Sequence, residues 1–203
     1  VGFDILGLAV EGAGDTVIVE RRAEKGAIMV KIDGDDGRLP LEANKNVASI
    51  SANAMLKALK ADFGVEITLH KGLPLASGLG SSAASSVAAV VALNAMLDNP
   101  YTPKQLLPFA LEGEAAVSGY HADNAAPCLL GGIILANGID VQNIFSLPVP
   151  DNLWLSLVTP DVAVPTAEAR AALPREIPLG QMVRQTGAVA ALVHALHTGN
   201  IPL

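Results

Sequence analysis

The residues of this chain best suited to chemistry lie in one short segment rich in glycine and serine, residues 77–82 (Ser-Gly-Leu-Gly-Ser-Ser). The alternating residues 65–69 before it predict a half-buried strand, and the apolar residues 85–93 after it predict a helix. A loop that opens a helix presents unpaired backbone N–H groups at the positive end of the helix dipole. The segment therefore predicts an anion site, with phosphate as the expected ligand.

The serines of this segment add side-chain oxygens to the backbone amides. Hydroxyl groups of Ser77, Ser81 and Ser82 suit a phosphate oxygen or a hard cation such as Mg²⁺. Lys71, just before the loop, has two interpretations: it offsets phosphate charge, or it is an exposed loop lysine.

The glycines fit a dinucleotide-binding loop, a Walker-type loop or a plain turn less well. Residues 78–83 match the dinucleotide pattern G-x-G-x-x-A, but residues 71–77 separate them from the strand. The acidic residue expected about 20 positions later is Asp98, which precedes Asn99 and Pro100 rather than ending a strand. A Walker-type loop needs a Gly-Lys-Ser/Thr ending, which the sequence lacks. A purely structural turn explains one or two glycines, but not two interleaved with three serines.

The composition of the chain limits the classes of protein to which it can belong. The chain has 203 residues, of which 51% are hydrophobic and 3% aromatic, so its core is built from Ala, Val, Leu and Ile. A formal net charge of −7 argues against a nucleic-acid partner, which needs a basic face. No apolar run is long enough to span a membrane. The single cysteine, Cys128, excludes a disulfide within the chain and is expected to be a small buried residue in a reducing, cytoplasmic setting.

Hydrophobic periodicity predicts mixed α and β structure in residues 1–150. The predicted strands cover residues 16–20, 27–32, 65–69 and 133–136. The predicted helices cover residues 46–62, with Asn46 as a possible N-cap, the stretch after the loop to about Leu97, and a segment after Pro103 that runs through Glu114. A proline-rich change of composition near residues 148–150 predicts a domain boundary. The second unit, residues 151–203, is expected to contain a strand at 153–158 and helices at 167–173 and 181–196.

Four segments of the sequence resemble a known family. Residues 74–84 (Pro-Leu-Ala-Ser-Gly-Leu-Gly-Ser-Ser-Ala-Ala) closely resemble the phosphate-binding motif of the GHMP small-molecule kinases. Residues 1–7, 121–127 and 165–170 are similar to three further motifs of the homoserine kinases within that superfamily. The four motifs occur in the family's order and extend over nearly the whole chain.

The resemblance implies an α+β fold and a kinase activity. The expected fold is an N-terminal ATP-binding domain like ribosomal protein S5 domain 2, residues 1–150, followed by a truncated, ferredoxin-like GHMP C-terminal domain, residues 151–203. The implied reaction transfers the γ-phosphate of ATP to the hydroxyl of L-homoserine, with Mg²⁺, in threonine biosynthesis. The resemblance also implies a homodimer, whereas a cytoplasmic location without nucleic-acid or membrane partners is expected from the composition.

The resemblance also assigns roles to particular residues. The nucleotide is assigned to Asn46, Pro74, Leu75, Ala76, Ser77, Gly78, Leu79, Gly80, Ser81, Ser82, Ala83 and Ala84. Ser82 and Glu114 are assigned to Mg²⁺, and Asp4 and Asn124 to the substrate hydroxyl, with no obligatory base. His121, Thr166 and Arg170 are assigned to the substrate carboxylate.

Simpler roles for these residues stay open at this point. Asn46 fits a helix cap equally well, Glu114 and Arg170 fit solvated helix positions, Asp4 fits a turn and His121 fits packing. Two other functions also stay open: a GHMP kinase for a different alcohol, and a non-catalytic nucleotide-binding protein.

Overall fold

Within the described ranges, residues 3–158 and 166–200, the computed structural model contains six strands, six α-helices and one 3₁₀ turn. The strands are β1 (Leu6–Leu8), β2 (Thr16–Arg22), β3 (Gly26–Asp33), β4 (Gly64–His70), β5 (Ile133–Ala136) and β6 (Ile144–Leu147). The helices are α1 (Val47–Ala58), α2 (Ser81–Met96), α3 (Pro103–Ala115), α4 (Ala122–Leu130), α5 (Thr166–Ala171) and α6 (Leu179–Thr198), and the 3₁₀ turn is Val141–Asn143.

The strands form two small sheets. In one sheet, β4 lies between β2, which runs antiparallel to it, and β3, which runs parallel. In the other, β5 pairs antiparallel with both β1 and β6. The parallel β3–β4 pair requires a crossover, and α1 provides it. The predicted α+β class is confirmed.

The core lies between the β2–β4–β3 sheet and helices α1, α2 and α3. Strand β4 alternates as expected from its sequence, since Val65, Ile67 and Leu69 are fully buried. The helices contribute large buried side chains such as Met55 and Leu93. Small residues on the facing helix surfaces let the three helices pack on one another.

Gly113 marks the closest approach of these helices. A Cβ atom at this position would lie 2.2 Å from Ser51 Oγ, 2.5 Å from Ser86 Oγ and 2.5 Å from the Val47 carbonyl oxygen. These distances are shorter than van der Waals contact, and the carbonyl belongs to rigid backbone. Only glycine fits there, and the next residue in α3 is Glu114.

We expect Gly113→Ala to lower the free energy of unfolding by about 1–3 kcal/mol, because overpacking forces α3 away from its neighbours. The matched control is Gly187→Ala in α6, where a Cβ would meet no atom within 4 Å. That change is expected to be neutral or to stabilise by up to about 1 kcal/mol through helix propensity. Urea denaturation of both variants measures the difference, and equal stabilities would contradict this account of the packing.

Most elements predicted from the sequence are confirmed, with boundary changes of a few residues. The predicted helix at 46–62 ends at Ala58, because Lys60 adopts a left-handed backbone conformation (φ 53°). The predicted strand at 153–158 is wrong: these residues have no regular structure, and Trp154 and Val158 are about nine-tenths exposed. A strand needs a hydrogen-bonded neighbour, and no strand in the described part of the chain pairs with this segment.

Two strands and one α-helix had not been predicted: β1, β6 and α4. The polar start of α4 and its internal Pro127 hide its helical character. Cys128 is exposed rather than buried, because it lies on the outer side of α4, whereas Ala125 and Ala126 face the core. No helix in residues 3–158 or 166–200 is long and apolar enough to cross a membrane.

Candidate active site

The glycine- and serine-rich segment forms a loop that ends at the first residue of α2. Gly78 and Gly80 have φ angles of 75° and 68°, in the left-handed region that favours glycine. Ala76 also has a positive φ, 54°, which is uncommon for a residue with a side chain. The two glycines are therefore explained by the backbone path that brings the loop into the helix.

The first turn of α2 has the features of an anion site. Its N-cap is Gly80, no side chain in the described residues caps it, and its first turn contains no acidic residue. The N–H groups of a first helical turn have no partner within the helix. They remain available to an external anion, which the helix dipole favours.

The loop serines differ in their hydrogen bonds. Ser77 Oγ donates to the Pro74 carbonyl oxygen (2.8 Å) and Ser81 Oγ donates to the Leu73 carbonyl oxygen (3.2 Å). These two hydroxyls hold the shape of the loop. The Ser82 hydroxyl lies beside the carboxylate of Glu114.

Glu114 is a buried carboxylate with spare hydrogen-bonding capacity. The residue is 2% exposed, so the solvated interpretation is wrong. Its Oε2 accepts from Ser118 Oγ at 3.4 Å, whereas Oε1 has no partner among the described residues. Burial raises the pKa of Glu114, and the hydroxyls of Ser82 and Ser118 oppose that shift. An unpaired carboxylate oxygen beside a hydroxyl is a donor set that suits a hard cation.

The substrate-assigned residues form a second cluster. Arg170 donates from Nη1 and Nη2 to the two carboxylate oxygens of Asp4, at 2.9 and 2.6 Å. His121 Nδ1 lies 3.5 Å from Asp4 Oδ2. The hydrogen bonds from Arg170 hold the pKa of Asp4 below its usual range. Asp4 also has a left-handed backbone (φ 62°), a costly conformation that is often found at functional sites.

The contact between Asp4 and Arg170 differs from the prediction that each of the two residues binds the substrate. Asp4 and Arg170 were assigned to opposite ends of a substrate, and here they bind each other. The guanidinium therefore already holds a carboxylate in the two-pronged geometry that arginine favours. A substrate carboxylate that binds Arg170 would replace that of Asp4.

Asn124 connects the two clusters. A Cβ on Gly80 would lie 3.0 Å from Asn124 Oδ1, so the first turn of α4 lies against the phosphate loop. His121, the N-cap of α4, extends from the same turn toward Asp4. Because Asp4 also binds Arg170, the fold brings all four sequence motifs to one place.

One cavity of about 380 Å³ receives most of the predicted site residues. Those that line it are Asn46, Leu75, Ala76, Ser77, Gly78, Gly80, Ser81, Ser82, Glu114, His121, Asn124 and Arg170. Pro74, Leu79, Ala83, Ala84 and Asp4 do not line it. Thr166 begins α5, and its side chain lies outside the described part of the chain.

Asn46 is engaged as a helix cap. Its Oδ1 accepts from the Ala48 N–H at 3.0 Å, and its Nδ2 donates to the Pro40 carbonyl oxygen at 3.0 Å. The cap interpretation is confirmed. One amide hydrogen and one lone pair remain for a contact across the cavity.

Two residues near the site were not singled out correctly from the sequence. Asp123 has a buried Oδ1 with no partner in the described residues, and burial, followed by the charge of Asp4, raises its pKa. The position of Asp123 in the sequence, between His121 and Asn124, was the signal that could have identified it as a site residue. The Lys71 side chain is 1% exposed, so its interpretation as an exposed lysine is wrong.

The sequence matches known proteins in the same region. The family model described as the GHMP kinases N terminal domain matches residues 46–132, which contain the phosphate loop, Glu114 and α4. The homoserine kinase of Chloroherpeton thalassium is 44% identical over 206 residues, which cover 96% of this chain and 65% of that protein. The homoserine kinase of Chlorobium phaeobacteroides strain BS1 is 41% identical, with 100% of this chain and 67% of that protein covered.

A solved structure has the same fold. The crystal structure of homoserine kinase from Cytophaga hutchinsonii superposes with a TM-score of 0.93 and 48% sequence identity. The match covers 98% of this chain and 64% of that protein. This chain therefore spans about two thirds of the length of the relatives that it matches.

Proposed function

Because this chain belongs to the homoserine kinase family of the GHMP kinases, we propose that it is part of an enzyme that phosphorylates L-homoserine. The enzyme would transfer the γ-phosphate of ATP to the side-chain hydroxyl and form O-phospho-L-homoserine, on the route to threonine. The observation that carries this proposal is one cavity that joins an uncapped helix N-terminus to an arginine already binding a carboxylate.

In this proposal the phosphates of ATP bind at the start of α2. The amides of the loop and of the first helical turn donate to phosphate oxygens. This assignment is supported because no side chain among the described residues caps α2 and its first turn contains no acidic residue. The nucleoside lies toward Asn46, at the start of α1. Phosphoryl transfer depends mainly on such positioning and charge stabilisation.

Glu114 and Ser82 would hold Mg²⁺. This assignment is supported by Glu114 Oε1, which has no hydrogen-bond partner within residues 3–158 and 166–200. When bound, the ion neutralises charge on the phosphates. No group of three or more His, Cys, Asp or Glu side chains that could hold a metal occurs in the described part of the chain. Mg²⁺ commonly takes one or two protein ligands and completes its shell with phosphate oxygens and water.

The amino-acid substrate would lie between the loop and α5. Asn124 and Asp4 orient the hydroxyl, while Arg170, His121 and Thr166 bind the carboxylate. Once the substrate carboxylate replaces Asp4 at Arg170, Asp4 is free to accept from the hydroxyl. Asp123 Oδ1, which is buried and has no partner among the described residues, is suited to the substrate ammonium group. No residue is assigned as an obligatory base, since transition-state stabilisation suffices for this chemistry.

The wider organisation of the protein is part of the same proposal. We assign residues 1–150 to an S5 domain 2-like nucleotide-binding domain and residues 151–203 to the start of a ferredoxin-like domain. The proposed enzyme is a cytoplasmic homodimer without nucleic-acid or membrane partners.

A substrate panel tests the proposal. The full-length protein is assayed for ADP release with ATP, Mg²⁺ and either L-homoserine, mevalonate or galactose. We expect turnover with L-homoserine, because galactose has no carboxylate for Arg170 and mevalonate has no ammonium group for Asp123. Preference for another alcohol would identify a different GHMP kinase. ATP binding without turnover of any alcohol would identify a non-catalytic nucleotide-binding protein.

A further inference from the structure

A buried ion pair lies beneath the phosphate loop and belongs to no role described above. The side chains of Lys71 and Asp15 are 1% and 0% exposed, and Lys71 Nζ donates to Asp15 Oδ2. Asp15 immediately precedes β2, and Lys71 immediately follows β4, its antiparallel partner in the sheet. The pair is therefore built into the sheet that supports the loop.

The Asp15 carboxylate binds both ends of the loop. Its Oδ1 accepts from the backbone N–H groups of Gly72 (3.0 Å) and Leu73 (3.3 Å), where the chain enters the loop. Its Oδ2 accepts from Ser85 Oγ at 2.6 Å, in the second turn of α2. With the bond from Lys71, the carboxylate makes four hydrogen bonds and is fully satisfied.

Lys71 completes this arrangement. Besides Asp15, its ammonium group donates to the Ser81 carbonyl oxygen (2.8 Å) and to Ser85 Oγ (2.9 Å). All three N–H donors of the side chain are thus used within the protein. In this arrangement Lys71 has no donor left for a phosphate, and its contacts hold the start of α2.

The backbone is shaped to bring these groups together. A Cβ on Gly72 would lie 1.9 Å from the Gly14 carbonyl oxygen, so the glycine that follows Lys71 lets the two chain segments touch. The two partners line different cavities. Lys71 lines the 380 Å³ cavity of the candidate site, and Asp15 lines a second one of about 670 Å³, which also borders the loop at Leu73 and Leu79.

We propose that Asp15 is a positioning residue for nucleotide binding, which acts through Lys71 and Ser85 to fix the distance between the two ends of the phosphate loop. The inference rests on the proposed kinase function, because it assumes that this loop binds ATP. A loop held at both ends presents its amides in one arrangement, and ligand binding then loses less conformational entropy.

Nucleotide affinity in the full-length protein tests this role. Calorimetric titration with a non-hydrolysable ATP analogue and Mg²⁺ is compared for wild type, Asp15→Asn and Asp36→Asn. Asp36 is the matched control, because it forms an exposed ion pair with Arg38 and neither residue lines the cavity. We expect Asp15→Asn to weaken nucleotide binding on the order of tenfold. Its affinity for L-homoserine should change by less than about twofold, because no hydrogen bond of Asp15 is made to a residue assigned to that substrate. The Asp36→Asn protein should match wild type for both ligands.

The outcomes separate this inference from the proposed function. If the wild-type protein does not bind the ATP analogue, both the proposed function and this inference are wrong. Wild-type nucleotide affinity in Asp15→Asn, or an equal loss for both ligands, overturns the inference alone. If Asp15→Asn does not fold, because Lys71 is left as an unpaired buried charge, the double variant Asp15→Asn/Lys71→Met replaces it. That variant is expected to show the same selective loss, and unchanged nucleotide affinity overturns the inference.

Discussion

Glu114→Gln is expected to lower kcat on the order of 10²–10³-fold while making the metal-free protein more stable. The loss of activity follows if Glu114 binds the cation that neutralises the phosphates, because glutamine keeps the shape but removes the charge. The gain in stability follows from the position of Glu114, which is 2% exposed and whose Oε1 has no partner in the described part of the chain. Burial raises the pKa of this carboxyl, so at neutral pH its ionisation opposes folding.

Steady-state kinetics and thermal denaturation, each with and without Mg²⁺ and an ATP analogue, measure both effects. The control is Glu112→Gln on the same helix, whose exposed carboxylate accepts only from the Tyr120 hydroxyl at 3.0 Å among the described residues. This control should keep wild-type activity and stability. A wild-type kcat in the Glu114→Gln protein would contradict the assignment of Glu114 as a ligand of the cation. One that is less stable than wild type without metal would contradict the account of its burial.

Arg170→Met is expected to raise the KM for L-homoserine about 100-fold and to leave the KM for ATP unchanged. The variant loses a charge-assisted, two-pronged contact to a carboxylate, worth about 2–3 kcal/mol. Methionine keeps much of the length of the side chain, so packing changes little. Arg170→Lys should fall between wild type and Arg170→Met, because lysine keeps the charge but not the fork.

The control for this series is Arg184→Met, which replaces an exposed arginine on α6. It should keep both KM values. An Arg170→Met protein with a wild-type KM for L-homoserine would mean that Arg170 pairs with Asp4 only to hold the structure. An equal rise in both KM values would indicate general damage to the cavity.

The regular elements of the fold follow from local patterns in the sequence. Alternation predicts β4 because its Val65, Ile67 and Leu69 face one core. Helix α2 follows from its helix-compatible, largely apolar composition, and α3 follows from Pro103 at its start. The strand predicted at 153–158 fails because an apolar pattern cannot supply the neighbouring strand that it needs. Helix α4 was not predicted because its first turn is polar. The polar residues of this turn lie at the candidate site, so the apolar pattern of a core-facing helix is missing there.

Only part of the candidate site could be predicted from the sequence. The loop is recognisable because glycines and serines at a helix start have few other uses, and Glu114 because of the family resemblance. The Asp15–Lys71 pair is not, since its members lie 56 residues apart and meet only because β2 pairs with β4. The contact of Arg170 with Asp4, across 166 residues, depends in the same way on tertiary structure.

The most direct test of the account is a crystal structure of the full-length protein with a non-hydrolysable ATP analogue and Mn²⁺, which anomalous scattering identifies. We expect the triphosphate to accept hydrogen bonds from the amides of residues 77–83. The cation should lie at bonding distance, about 2.0–2.2 Å, from Glu114 and Ser82. A triphosphate bound elsewhere on the protein, or a cation without contact to Glu114, would contradict the account.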